Sequence, residues 1–98
     1  MSMAEQPSIE NFKQVGGVTT EDLTQWRAAA EMMAALDAAR RHGANVIVKM
    51  DGDRSGPSVY TVVVSGPMFG ESFFRKDGED LLQLLREAVD YYVATAQP

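Results

Sequence analysis

Cysteine is absent from the 98 residues. That removes disulfides, thiolate metal sites, iron–sulfur ligation and cysteine nucleophiles together. Basic residues are scarce, nine against fourteen acidic ones for a formal charge of −5, a poor balance for a surface that must neutralise phosphates or rest on anionic lipid. Nucleic acid is therefore not an expected partner. Long apolar runs are missing as well. The longest lies within Val59 to Val64, is interrupted by Tyr60 and Thr61, and falls far short of the roughly 20 residues a membrane-spanning helix needs. The chain opens MSMAEQPSIE, without a basic start, an apolar segment or a small-residue cleavage site, which predicts neither signal nor transit peptide and a cytoplasmic location.

What is present is the balance of a globular domain, 45% hydrophobic and 23% charged residues, in a length that fits one core. The expected organisation is an N-terminal tail over residues 1–17, partly disordered, followed by one domain over 18–98. Met1 to Pro7 is polar. Ser8 is placed to cap a short turn through Ile9, Phe12 and Val15, and Gly16-Gly17 ends any such element.

Thr19 followed by Asp22 has the spacing of a capping box, and Val18 with Leu23 that of a hydrophobic staple. A helix is predicted from about Thr20 to His42, with Leu23, Trp26, Ala30 and Met33 as its stripe, widened by Ala29 and Leu36. Arg40, Arg41 and His42 suit the negative end of the helix dipole, and Gly43 suits the left-handed residue that follows. Alanines occur nearly all round this helix, so another element could approach its backbone on more than one side.

The period then changes to two. Asn45 to Met50 alternates, and Val59 to Ser65 is apolar on both faces, the pattern of an edge and a central strand. Glu71 to Arg75 is the expected third strand. A second helix is predicted from about Gly78 to Thr95, capped by Asp77, with Leu81, Leu85, Ala88 and Tyr92 along its stripe. The fold class that follows is α+β: a two-layer sandwich in the order α-β-β-β-α, with an antiparallel three-stranded sheet and both helices on one face.

This order resembles that of double-stranded-RNA-binding domains, and a sheet followed by an acid-capped helix is similar to antitoxins of the HicB type. The likeness is one of order alone. Where the RNA-binding family opens its second helix with a phosphate-gripping basic cluster, this chain has Lys76-Asp77-Gly78-Glu79-Asp80. No functional position is carried over.

Asp51-Gly52-Asp53-Arg54-Ser55-Gly56 repeats the first half of a calcium loop, with Asp51, Asp53 and Ser55 as weak metal candidates. The second half is missing, since Pro57 and Val62 occupy the seventh and twelfth positions. Asp, Gly, Ser and Pro are the standard residues of a polar hairpin turn, and the segment is expected to be one. No catalytic residue is assigned. His42 has no nucleophile motif to serve, and Glu87 and Asp90 fall on the solvated side of the second helix. No cofactor is expected. Met68 and Phe69 are large apolar residues at a turn, and Phe73-Phe74 must face opposite sides of a strand. Met68, Phe69 and Phe73 are therefore the candidate partner-binding residues.

Two helices cover one face of a three-stranded sheet and leave the other. From that geometry the sequence predicts a non-catalytic protein–protein interaction module, of the small regulatory, inhibitor or immunity type, with a second copy of itself as partner. The alternative is a protein that binds a small molecule or, weakly, a divalent cation.

Overall fold

The computed structural model describes residues 16–17, 19–53 and 56–96. The expected tail over residues 1–17 falls almost wholly outside the described residues, as do Val18 of the staple and Ser55 of the loop.

Helix α1 spans Thr20–Arg41. Its start is fixed locally: the Thr19 hydroxyl accepts from the Asp22 amide at 3.0 Å while the Asp22 carboxylate accepts from the Thr19 amide at 2.9 Å. The reciprocal bonds satisfy two donors that a helix start otherwise leaves unpaired. At the other end His42 is the C-cap and Gly43 turns the chain with φ +103°, a conformation open to glycine. Three strands follow, β1 (Asn45–Met50), β2 (Tyr60–Ser65) and β3 (Phe74–Gly78), then α2 (Leu81–Thr95). The sheet is antiparallel in the order β1-β2-β3, with Val48 opposite Val62 and Val62 opposite Lys76. The fold is therefore the expected α+β arrangement, α1-β1-β2-β3-α2.

Alternation along the ladders sorts the sheet into two faces. Val46, Val48, Tyr60, Val62, Val64 and Phe74 point one way. Val62 and Val64 on that face are fully buried beneath Leu36 of α1 and Leu85 of α2, in one cluster that also takes in Ala29, Ala39, Leu81, Leu84 and Ala88. Both helices thus share one side of the sheet.

Three details depart from the sequence reading. The inward stripe of α1 is Ala29, Leu36 and Ala39, with Met32 packed beside it, while Trp26 and Met33 are exposed on its flank. Small side chains let α1 lie close to α2, so the alanines turn inward and the bulkier residues are displaced. The third strand begins at Phe74 rather than Glu71. A 3-10 turn over Pro67–Phe69 and two bonds from Ser72, amide and hydroxyl, to the Phe69 carbonyl at 3.2 and 3.0 Å extend the connection. With that shift the cap of α2 moves to Asp80, whose carboxylate accepts from the Gln83 amide. Asp77, expected there, instead sits on β3 and accepts from the Thr61 hydroxyl at 2.6 Å.

Candidate interaction surface

The turn between β2 and β3 places Phe69 inward. Its side chain is 7% exposed and its ring lies 5.1 Å from Tyr91 and 6.0 Å from Tyr92, with Phe74 extending the group to Tyr91 at 5.7 Å. The Tyr91 hydroxyl is held by Ser72 at 2.8 Å. Met68 is half-buried against the same core. Phe69 is thus part of an aromatic cluster that closes the end of the sandwich. Phe73 alone of the three stays outside, 59% exposed. The structure does not bring these residues together as one patch.

The loop after β1 is an Asx turn. One oxygen of Asp51 accepts from the Asp53 amide at 2.9 Å, and the other lies 3.5 Å from the Lys49 ammonium. This is the role Asp takes in a hairpin. No group of three or more His, Asp or Glu side chains among the described residues is placed to hold a metal ion.

The carboxylates behave as surface groups. Glu87 accepts from the Lys76 ammonium at 2.6 Å and from the Gln83 side chain at 3.0 Å. The Lys76 bond, with the Gln83 bond second, holds the Glu87 carboxyl below its ordinary value. Asp37 is lowered in the same way, first by the hydrogen bond from Arg40. No buried polar side-chain atom among the described residues lacks a hydrogen-bond partner.

On the side of the sheet away from the helices, Thr61 is buried between its ladder neighbours Lys49 and Asp77, and Arg75 approaches Asp77 at 3.7 Å. This face is more polar than its strand pattern suggests. Its conspicuous apolar exposure is Ile47, 57% accessible on β1.

Exposure of large apolar side chains concentrates elsewhere. Of the six among the described residues, four are Trp26, Met33, Ile47 and Met50, all on α1 or β1. Between these elements runs an open groove of about 350 Å³ lined by Met33, Leu36, Asp37, Arg40, Val46 and Val48. A wider one, about 830 Å³, lies where α1, α2 and β2 begin, with Trp26 and Tyr60 in its wall and Asp22, Glu79 and Asp80 at its rim. The outer edge of β1 pairs with no strand among the described residues. Sequence reasoning missed the α1 flank because it placed Trp26 and Met33 in the core. The alanines, spread nearly all round the helix, left its close-approach side unmarked.

No family model matches this chain, and neither a characterised protein nor a solved structure shows significant similarity to it. No helix among the described residues is long and apolar enough to cross a membrane.

Proposed function

We propose that the chain is a non-catalytic protein–protein interaction module, of the small regulatory, inhibitor or immunity type, that works as a homodimer. The observation that carries this reading is the apolar margin formed by α1 and β1, where Met33, Ile47 and Met50 remain accessible beside a strand edge that pairs with no strand among the described residues. Isolated apolar residues on a surface are ordinary, but several gathered along one groove and one edge are the pattern of an association site. A formal charge of −5 opposes pairing only weakly at physiological salt, where charges farther apart than about 8 Å are screened. Sedimentation equilibrium over a micromolar series tests it. Twice the 10.7 kDa chain mass is expected, and a folded species of single mass at every concentration sinks the reading.

The wider groove favours a second reading, a small-molecule binder. Two aromatic rings with carboxylates at the rim suit an organic cation. Titration with spermidine, followed through the fluorescence of Trp26, the sole tryptophan, tests that reading. A saturable change lost in Tyr60→Ala supports it; no change refutes it.

A further inference from the structure

We propose that a second copy of this chain pairs antiparallel with the outer edge of β1, about a twofold axis through Ile47, so that two three-stranded sheets become one of six strands. The proposal rests on the self-association reading above and gives it a surface and a register.

The backbone sets the parity. The Asp51 amide donates to the Val59 carbonyl at 2.9 Å, in line with the register that pairs Ile47 with Val63 and Lys49 with Thr61. Residues 45, 47, 49 and 51 therefore turn their amides and carbonyls toward β2, and Val46, Val48 and Met50 turn theirs outward. A row of this kind, paired with no strand among the described residues, is a template for a further strand. A twofold normal to the sheet keeps both pairs of helices on one side, and it must pass through a residue rather than between two, or core-facing side chains would oppose solvent-facing ones.

With the axis at Ile47, Val46 and the partner's Val48 exchange both backbone bonds, and symmetry repeats the exchange. Ile47 then meets the partner's Ile47 in the closer, non-hydrogen-bonded kind of pair, covering a side chain that is otherwise 57% exposed. Lys49 comes opposite the partner's Asn45, so no like charges face each other. An axis at Val48 would instead set Ile47 against the partner's Lys49 and bring the two Lys49 side chains into diagonal contact, which is unfavourable.

Above the sheet the same operation draws together the two α1–β1 grooves, each with Met33 and Leu36 on one wall and Val46 and Val48 on the other. Asp37 is already bridged to Arg40 and Arg41 within its own helix, at 2.7 and 2.8 Å, so the groove brings no uncompensated acid to the axis. Met33, Ile47 and Met50, 43%, 57% and 61% exposed, join the strand backbone and the groove walls in the surface that pairing covers, against the roughly 800 Å² per partner of a standard interface.

The absence of native cysteine makes the register directly readable. Paired Cα atoms at a non-hydrogen-bonded antiparallel site are about 4.5 Å apart, within the span a disulfide accepts. Ile47→Cys, exposed and on the solvent side, is expected to cross-link into a covalent dimer on mild oxidation. Lys49→Cys is expected to stay monomeric under denaturing conditions, its two Cα atoms being about 13 Å apart along the strands. The double variant Asn45→Cys/Lys49→Cys is expected to cross-link. Sedimentation of the unmodified chain separates the two levels of failure. A dimer whose Ile47→Cys form does not cross-link overturns the strand pairing and leaves the interaction reading standing, whereas a monomer overturns both.

Discussion

Truncating Phe69 to alanine separates a core role from a contact role at the turn between β2 and β3. The ring is 7% exposed and packs on Tyr91 and Tyr92 at centroid distances of 5.1 and 6.0 Å. Returning a side chain of this size to water costs about 1.5–3 kcal/mol, and each aromatic pair adds about 0.5–1.5 kcal/mol beyond area. The remaining methyl group leaves a hole that a sandwich end closed by Tyr91, Tyr92 and Phe74 can fill only partly. Together these place Phe69→Ala in the usual range for buried phenylalanine, a loss of about 3–5 kcal/mol. In a domain of this size that lowers Tm by about 15–24 °C. Urea unfolding followed by circular dichroism gives the loss directly, provided the m-value is unchanged. A loss smaller than about 1 kcal/mol, with a dimer weakened instead, would show that the ring contacts a partner and that the cluster with Tyr91 and Tyr92 is misread.

Gly66 has φ +149°, and an added Cβ would lie 2.8 Å from Met68 sulfur and 3.2 Å from the backbone at Gly43 and Ala44, so Gly66→Ala is expected to cost about 1–3 kcal/mol in urea unfolding. Asp80→Ala removes the cap of α2 and is expected to cost about 1 kcal/mol by the same assay; no loss would return the cap to Asp77. The Glu87 carboxyl, held low by Lys76 first and Gln83 second, contributes stability that is complete above its unfolded value of about 4.5 and is lost as pH falls through the lower folded value. Carboxyl titration by NMR is expected to show the Glu87 midpoint rising in Lys76→Met, and an unmoved midpoint refutes the ion pair. The Asx turn at Asp51 predicts calcium affinity no tighter than about millimolar; submicromolar binding by calorimetry contradicts it.

Much of the fold was legible because its signals are local. The Thr19–Asp22 box, the Arg40-Arg41-His42-Gly43 terminus and the alternation of Asn45 to Met50 each need only a few neighbouring residues. What escaped depends on distant partners. Glu71 to Arg75 and Phe74 to Gly78 are comparable as strands by pattern, and the second prevails through bonds from Thr61 to Asp77 and from Lys76 to Glu87, across 16 and 11 residues. The cap of α2 moved because the strand did. The exposed face of α1 was misread for a related reason: hydrophobic weighting favours Trp26 and Met33 over alanine, but the close approach of α2 rewards small side chains. Phe69 looked exposed at a turn tip because nothing near it in sequence announces Tyr91 and Tyr92. The association margin inherits these errors on its α1 side, where Met33 is a residue that a periodicity reading assigns to the core.

Amide hydrogen exchange at β1 tests the central claim most directly, since that claim is that a second copy completes this edge of the sheet. The amides of Val46 and Val48 point away from β2 and exchange rapidly unless another strand accepts from them. They are expected to be protected to the level of the β2 amides at concentrations where the chain sediments as a dimer, and to lose that protection on dilution. Rapid exchange at both residues in the dimeric sample, or protection unchanged by dilution to monomer, contradicts the account.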